Sequence, residues 1–358
     1  MAHIHGGNIE QVRQKYDLQD KEIIDFSANI NLLGPPLAIK KIMDKNPGIV
    51  THYPQPQARA LKQELAKKLN LPAENIIIGN GAVEIIYQLL RILQPELSLI
   101  PAPSFSEYMY AVKSIDKEIK RIYLQDKNKF RLDIEKYISC LEDVDLAFIC
   151  NPHNPTGMLL EKNDLLRIIK SARKQNVDLI LDEAFIDFVD NSDQYTLIDN
   201  IREYDNLFII RSLTKFFAIP GLRLGYGIGS EKLFKKMEMR RDPWSVNGVA
   251  QEAGKIALRD KKYIAQTKKI NKKERSYFYK KLKAISNIEV FKPMANFIFI
   301  KLKSGFSASE LKKIMALEGI LIRDCSSYHG LDNKHMRVAV RYRKDNNRLL
   351  SVFKKVFS

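Results

Sequence analysis

Lys215 lies in the stretch RSLTKFFAIPGLRLGY, residues 211–226, where the apolar run FFAIP follows it directly. Burial among apolar residues disfavours the ammonium form of a lysine and lowers its pKa. The neutral amine is a nucleophile that forms Schiff bases with carbonyl compounds. The alternative is an ordinary lysine whose stem lies along apolar surface and whose charged head stays in water. The motifs around Lys215 must therefore decide between a nucleophilic lysine and an ordinary solvated one.

Two other loops follow predicted strands and carry residues suited to ligand binding. After IIIG the chain reads GNGAVE, and Gly79 and Gly81 predict a turn into a helix that begins near Ala82. The backbone N–H groups and the positive end of a helix bind anions, although a GxG turn alone is a weak signal. After DLAFIC the loop NPHNPTG displays Asn154 between prolines. In open α/β sheets ligands bind beyond the carboxyl ends of the strands, which is where both loops lie.

Asp182 ends the predicted strand VDLILD, and three polar residues surround Lys215 in the sequence. A carboxylate at such a position is a helix cap, a salt-bridge partner or the group that keeps a pyridinium nitrogen protonated. Ser212, Thr214 and Arg223 offer two hydroxyls and one guanidinium to a phosphate. Together these residues supply the amine, carboxylate, hydrogen-bond donor and phosphate site that pyridoxal phosphate requires.

Short apolar runs alternate with helical patterns between residues 75 and about 230, which predicts an α/β fold with a mostly parallel sheet. After about residue 245 long helices and a few strands predict a smaller α+β domain, to which the N-terminal arm contributes. Ser307 and Glu310 predict a capping box there, and Gly319 a helix end. The expected division is residues 1–46, an arm and part of the small domain; 47–245, the large domain; and 246–358, the rest of the small domain. The seven candidate strands are NIIIG, LSLI, EIKRIYL, DLAFIC, VDLILD, NLFIIR and LGYGIG.

The composition of the 358 residues is that of an ordinary globular protein, with 45% hydrophobic and 28% charged residues. No apolar run approaches the roughly 18 residues of a membrane span, and the N-terminus lacks an apolar signal core, so we expect a cytoplasmic protein without membrane contact. The net charge of +17 favours anionic partners. Its densest basic run, residues 261–283, indicates a solvated helix face rather than a nucleic-acid groove. We predict no metal site, because the three cysteines lack the spacing of metal ligands and His3 and His5 are a pair without further ligands.

Four motifs connect this sequence to a known family: HGGNI at 5–9, DFSANIN at 25–31, LDEAFIDF at 181–188 and RSLTKFFAIPGLRLGY. Over nearly its whole length the chain resembles fold-type I pyridoxal-phosphate enzymes of the aminotransferase superfamily. The motifs most closely resemble the threonine-phosphate decarboxylases of cobalamin biosynthesis, which are relatives of histidinol-phosphate aminotransferases. The resemblance implies a large domain with a seven-stranded sheet, a smaller α+β domain, and a homodimer that shares its active sites between subunits.

The resemblance also implies a role for individual residues around the cofactor. Lys215 would attach pyridoxal phosphate covalently, and Asp182 would pair with the pyridine nitrogen. Asn154 would hydrogen-bond the ring hydroxyl O3′, and Phe105 would stack on the ring. The residues implied at the cofactor phosphate are Ala82 and Val83 through their amides, Ser212, Thr214 and Arg223, with Tyr53 from the other subunit.

For the substrate the resemblance implies a phosphorylated amino acid that loses CO2: L-threonine O-3-phosphate would give (R)-1-amino-2-propanol O-2-phosphate. Arg337 would bind its carboxylate, and His5 with Arg323 its phosphate. Serine phosphate differs by one methyl group, worth only about 1–3 kcal/mol in an apolar pocket, so the sequence does not separate the two substrates. The implied substrate residues are His5, Gly6, Asn29, Asn154, Arg323 and Arg337.

Two departures from the family pattern bear on the reaction. Many aminotransferases have a tyrosine three residues after the aspartate, where this chain has Phe185. Its absence argues against an ordinary aminotransferase, although histidinol-phosphate aminotransferase remains the alternative. Ala82 and Val83 bring no side-chain donor to the phosphate loop, which leaves more of the binding to backbone amides and Arg223.

Three other classes of protein fit the sequence less well. A pyridoxal-phosphate-dependent transcription regulator would need a DNA-binding domain, and residues 1–50 are occupied by the arm motifs. The SLTK of residues 212–215 matches the SxxK of penicillin-recognising enzymes, but no SDN or KTG follows. GYGIG at residues 225–229 opens no helix with a GxGxxG pattern, so it is not a dinucleotide site.

Overall fold

The computed structural model describes residues 6–19, 21–303 and 305–357. Its largest sheet has seven strands in the order β2-β8-β7-β6-β5-β3-β4, and only β8 runs antiparallel to its neighbours. Helices cover both faces of such a sheet, which explains why its strands read as unbroken apolar runs. The predicted α/β fold and all seven predicted strands are confirmed. The strands are β1 Ile24–Asp25, β2 Ile76–Gly79, β3 Leu97–Ala102, β4 Glu118–Tyr123, β5 Leu146–Cys150, β6 Asp178–Asp182, β7 Leu207–Ser212, β8 Gly225–Ile228, β9 Ile288–Val290, β10 Phe297–Leu302, β11 Ile320–Leu321, β12 Arg323–Asp324 and β13 His335–Ala339.

The helices begin and end close to the positions that the sequence indicates. The predicted capping box is present, since Ser307 and Glu310 bond each other's backbone and side chains, and Gly319 follows with a φ of +75°. The helices are α1 Ile9–Tyr16, α2 Leu37–Lys40, α3 Ile42–Lys45, α4 Arg59–Leu69, α5 Ala82–Leu93, α6 Ser106–Lys113, α7 Ile134–Ser139, α8 Lys162–Lys174, α9 Leu213–Phe216, α10 Glu231–Met239, α11 Gly248–Arg259, α12 Lys261–Lys283, α13 Ala308–Leu317 and α14 Arg343–Phe357.

A second, antiparallel sheet has the strand order β12-β13-β10-β9, and the short strand β1 pairs with β11 beside it. Ile24, Phe26 and Leu32 from the N-terminal part share one hydrophobic cluster with residues from 278 to 353. The N-terminal segment therefore packs with the C-terminal part of the chain. The boundaries at residues 46 and 245 remain a prediction.

The basic helix α12 buries one face, on which Tyr263, Thr267, Asn271, Phe278 and Leu282 recur at helical spacing. All of its lysines are exposed and form the solvated face that the sequence indicated, whereas the basic residue Arg275 is buried. Across the described ranges, no helix is long and apolar enough to cross a membrane. The same ranges contain no group of three or more His, Cys, Asp or Glu residues that could hold a metal ion.

The fold brings the carboxyl ends of three neighbouring strands together. Asp182 at the end of β6 is in register with Cys150 of β5 and Ile210 of β7. The loop with Asn154 follows β5, and α9 with Lys215 follows β7. Parallel pairing therefore places the three predicted functional segments at one edge of the sheet.

Candidate active site

Lys215 lies in α9, a single helical turn directly after β7. Burial first, and then the positive charges of Arg223 and Arg337, lower the pKa of its ammonium to about 8, and only Asp182 opposes them. The sequence predicted this direction from the apolar neighbours. The effect of the two arginines depends on the fold, because Arg337 lies 122 positions further along the chain, from 215 to 337.

The N-terminal motif DFSANIN holds the backbone of α9 in place. The backbone amide of Asn31 donates to the carbonyl oxygen of Lys215 at 3.0 Å. The side-chain amide of Asn31 donates to the carbonyl oxygen of Phe216 at 2.6 Å and to Thr267 at 2.9 Å. Asn31 thus satisfies the carbonyl groups that a one-turn helix leaves unpaired, and it fixes the position of Lys215.

Asp182 is buried, and both of its carboxylate oxygens accept hydrogen bonds. The Tyr108 hydroxyl donates to Oδ2 at 2.5 Å, and the Ala184 amide donates to Oδ1 at 2.9 Å. Burial raises the pKa of Asp182, while these two hydrogen bonds and the charge of Lys215 lower it. The sequence analysis missed Tyr108. Its one available signal is the position three residues after Phe105, in the first turn of α6.

A site for an anion lies where α5 begins. Gly81, with a φ of +84°, precedes the helix, and a Cβ there would lie 2.6 Å from Nη2 of Arg223. The guanidinium of Arg223 therefore lies against the turn that presents the amides of Ala82 and Val83. A Cβ on Gly225 would lie 2.3 Å from the backbone nitrogen of Ala82, so this close approach of β8 requires glycine.

The hydroxyl groups of Ser212 and Thr214 lie 2.7 Å apart, and both residues are buried. Among the described residues, the Arg223 side chain forms no hydrogen bond or ion pair. A guanidinium without a carboxylate partner, two hydroxyls and a helix N-terminus make a donor set that fits a phosphate. These residues fit the phosphate of pyridoxal phosphate as the sequence implied.

Phe105 and Asn154 lie on two further sides of this site. Phe105 precedes α6, half-buried, with its ring edge-to-face with Tyr108 at a centroid distance of 5.6 Å. Asn154 is buried, and its Oδ1 accepts a hydrogen bond from Nη1 of Arg337. This leaves the side-chain amide nitrogen of Asn154 available to donate to a ligand oxygen.

Arg323 and Arg337 lie directly opposite each other on β12 and β13. Both are buried. Nη2 of Arg337 donates to the carbonyl oxygen of Ser27 at 3.0 Å, and the guanidinium lies 5.4 Å from the ring centroid of Phe297. Two buried guanidinium groups on adjacent strands provide two positions for anions.

Gly6 and Asn29 join Arg337 from the N-terminal side. A Cβ on Gly6 would lie 2.3 Å from the carbonyl oxygen of Ser27, which also binds Arg337. Asn29 is buried, and among the described residues neither its side-chain oxygen nor its nitrogen has a hydrogen-bond partner, nor does Nε of Arg337. Buried polar atoms almost always have partners, so these three atoms indicate a polar ligand. His5, which the sequence also implied, lies outside the described residues.

Arg323 borders a cavity of about 410 Å³ between the two sheets' loops, which Phe105, Tyr110 and Arg121 also line. Its guanidinium lies 5.4 Å from the ring centroid of Tyr328. The cavity is large enough for a small-molecule ligand. Arg323 therefore lies opposite Arg337 and also lines the cavity beside Phe105.

Tyr53 is 82% exposed, and its ring contacts Trp244 at a centroid distance of 4.9 Å. Phe185 is buried edge-to-face against Phe297, at 5.1 Å. Phe185 thus packs against the ring that lies beneath Arg337 and offers no hydroxyl group.

Arg341, whose role the sequence left open, binds the protein itself. It donates to a carboxylate oxygen of Asp345 at 3.2 Å and to the backbone oxygen of Asp25 at 3.1 Å, and it lies over Phe26. Its contacts indicate a structural role next to the substrate residues.

The family model described as aminotransferase class I and II matches residues 21–353. The chain is 35% identical to the threonine-phosphate decarboxylase of Salmonella typhimurium, over 99% of this chain and 96% of the relative. Two solved structures each match 92% of this chain and 98% of their own. The histidinol-phosphate aminotransferase from Clostridium acetobutylicum is 36% identical with a TM-score of 0.86. The L-threonine-O-3-phosphate decarboxylase from Porphyromonas gingivalis is 28% identical with a TM-score of 0.82.

Proposed function

We propose that this chain, which belongs to the aminotransferase class I and II family, decarboxylates L-threonine O-3-phosphate with pyridoxal phosphate as cofactor. The products would be CO2 and (R)-1-amino-2-propanol O-2-phosphate, for the nucleotide loop of cobalamin, with serine phosphate as a possible second substrate. The observation that carries the proposal is the pair of opposed, buried arginines, Arg323 and Arg337. A substrate with one phosphate and one carboxylate matches two such cations.

The cofactor residues would work as one unit. Pyridoxal phosphate, when bound, accepts the electron pair released as a bond at the substrate Cα breaks. Lys215 would hold it covalently, and Asp182 would keep its ring nitrogen protonated. Phe105 would stack on the ring and Asn154 would bind O3′. The proposed phosphate ligands are the amides of Ala82 and Val83, the hydroxyls of Ser212 and Thr214, and Arg223.

Which bond breaks depends on how the substrate is held. The residues that bind the substrate would select the bond, because they would set how its carboxylate is oriented toward the cofactor. We infer that Arg323, together with His5, anchors the substrate phosphate, while Arg337 and Asn29 turn the carboxylate out of the ring plane. The side-chain atoms of Asn29 and Nε of Arg337, which have no partner among residues 6–19, 21–303 and 305–357, support this assignment. Gly6 would leave room for the substrate beside Ser27.

Histidinol-phosphate aminotransferase is the second candidate, because a solved structure with that activity is 36% identical to this chain. Histidinol phosphate has one anionic group and no carboxylate, so it would use one arginine of the pair. Phe185 also lacks the hydroxyl that many aminotransferases place there. The reaction products distinguish the two candidates. Release of CO2 from threonine phosphate in the absence of a keto acid supports the decarboxylase.

We also propose a cytoplasmic homodimer in which Tyr53 reaches the cofactor phosphate of the other subunit. An exposed tyrosine next to other exposed apolar residues supports an interface at this surface, and a second copy is the occupant that completes the phosphate site. All three cysteines are unpaired, which suits a reducing compartment. The exposed apolar residues near Tyr53 in sequence or space are Leu37, Met43, Val50 and Trp244.

The Arg223→Gln variant should weaken cofactor binding about tenfold or more, because it loses a charge-assisted hydrogen bond to the cofactor phosphate. The Arg323→Gln variant should instead raise the KM for threonine phosphate by a similar factor and keep normal cofactor affinity. Titration of each variant with pyridoxal phosphate, followed by initial rates at saturating cofactor, measures both quantities. Exposed Arg240 provides the control variant Arg240→Gln. Equal losses of cofactor affinity in both variants would contradict the assignment of two separate phosphate sites.

A further inference from the structure

The hydroxyl group of Tyr108 is the donor that fixes Oδ2 of Asp182, at 2.5 Å. The opposite oxygen, Oδ1, is fixed by the Ala184 amide at 2.9 Å. Two donors from two different parts of the chain hold the plane of the carboxylate. One comes from α6 and the other from the loop after β6, so the orientation of Asp182 depends on how α6 packs.

Tyr108 is itself held firmly. Its side chain is fully buried, its ring stacks on Phe148 at a centroid distance of 4.9 Å, and Phe105 contacts it edge-to-face at 5.6 Å. Burial first, and then the charge of Asp182, raise the pKa of Tyr108 well above its ordinary value. The hydroxyl therefore stays protonated and remains a donor at every pH at which the protein would be assayed.

We propose that Tyr108 is a positioning residue that stabilises the ionised form of Asp182 and aims it at the ring nitrogen of the cofactor, and that it couples this carboxylate to Phe105. The inference rests on the proposed role of Asp182. It adds a residue that touches no substrate, acts through Asp182 and contacts the ring-stacking residue at the same time. Tyr108 would thus align both Asp182, which would pair with the ring nitrogen, and Phe105, which would stack on the ring face.

The physical argument is a competition between two effects on one buried carboxyl group. Burial favours the neutral acid, and hydrogen bonds to the ionised oxygens favour the carboxylate. Bonds to a charged group are among the stronger ones in proteins. Burial is the larger effect on the pKa of Asp182. Loss of the Tyr108 hydroxyl would raise this pKa further and favour the protonated acid, which could not hold the ring nitrogen in its protonated form.

The test compares the Tyr108→Phe and Tyr137→Phe variants as holoenzymes. Tyr137 is also fully buried, and its hydroxyl donates to the backbone oxygen of Phe148 at 2.9 Å. Each variant loses one buried hydroxyl and the hydrogen bond that it donates, but only Tyr108 contacts Asp182. Pyridoxal phosphate labelled with ¹⁵N in the ring reports protonation of that nitrogen directly by its NMR shift, independently of activity.

We expect a protonated ring nitrogen in the wild type and in Tyr137→Phe, and a shift toward the unprotonated value in Tyr108→Phe. The cofactor dissociation constant should rise about tenfold in Tyr108→Phe alone, which corresponds to about 1.4 kcal/mol. If Tyr108→Phe matches Tyr137→Phe in both measurements, the proposal is overturned.

The Asp182→Asn variant separates this inference from the role of Asp182. If its ring nitrogen stays protonated, the proposed role of Asp182 is wrong. If the ring nitrogen loses its proton in Asp182→Asn but keeps it in Tyr108→Phe, the proposed role of Asp182 stands and the proposed role of Tyr108 is wrong. Should Tyr108→Phe fail to fold, the hydroxyl proton of Tyr108 in the wild type is the readout. A strongly downfield resonance that disappears in Asp182→Asn supports the hydrogen bond, and its absence from the wild type refutes it.

Discussion

Replacing Lys215 by alanine abolishes turnover, by about 10⁴-fold or more at the upper range for one acid–base group, and it removes the absorbance of covalently bound cofactor. The reason is chemical. Burial and the charges of Arg223 and Arg337 bring the pKa of this amine to about 8, so a usable fraction is neutral and nucleophilic near neutral pH. Among the described lysines, burial also lowers the pKa of Lys68 in α4 and Lys312 in α13, but neither follows one of the strands β5, β6 and β7.

The fold should survive this substitution, because within the described chain the Lys215 side chain makes no hydrogen bond or ion pair. Thermal unfolding measures whether the purified variant keeps its fold, its absorbance measures covalently bound cofactor, and a coupled assay measures turnover. Lys272, an exposed lysine of α12, provides the control variant Lys272→Ala, which should behave like the wild type. Normal turnover by Lys215→Ala would exclude this residue as the covalent attachment point.

Replacing Arg337 by methionine should lower kcat/KM for threonine phosphate by about 10²–10⁴-fold, with cofactor content unchanged. Arg337 is buried and contacts Asn154 and the Ser27 carbonyl. Within the described part of the chain its Nε has no hydrogen-bond partner, and the same holds for the side chain of Asn29. A buried charge-assisted pair with a substrate carboxylate is worth about 1.5–3 kcal/mol per hydrogen bond. Two such bonds give the expected range.

Arg341 is the matched control for Arg337, since it is a neighbouring arginine that binds Asp345 and the Asp25 backbone instead. The Arg341→Met variant should unfold at a lower temperature while its KM stays close to that of the wild type. Steady-state kinetics and thermal unfolding of both variants make the comparison. If both variants lost substrate affinity to the same extent, Arg337 would affect activity by stabilising the fold and would not bind the substrate carboxylate.

The sequence predicted the large sheet because its strands are buried on both faces and therefore read as apolar runs between helical patterns. The turn at Gly81 was predictable for a similar local reason, since glycine adopts the positive φ that this turn requires. The family motifs then indicated Asp182, Asn154 and Lys215 together, because those residues follow successive strands. Local patterns thus identified the edge of the sheet where the site lies.

Other features depend on contacts between distant segments, which no local pattern reveals. The strand β12 has only two residues, and its pairing places Arg323 opposite Arg337. Asn31 supports α9 from a position 184 residues earlier, between 31 and 215. Tyr108 reads as an ordinary core residue of α6 until the packing of that helix brings its hydroxyl to Asp182.

The most direct test of the proposed function is to incubate the holoenzyme with L-threonine O-3-phosphate, without 2-oxoglutarate, and to measure released CO2 and the amine product. We predict one CO2 and one (R)-1-amino-2-propanol O-2-phosphate for each substrate consumed, over many turnovers. The parallel incubation with histidinol phosphate and 2-oxoglutarate should form little glutamate. Rapid formation of glutamate from histidinol phosphate, with no CO2 from threonine phosphate or serine phosphate, would contradict the decarboxylase assignment and identify an aminotransferase instead.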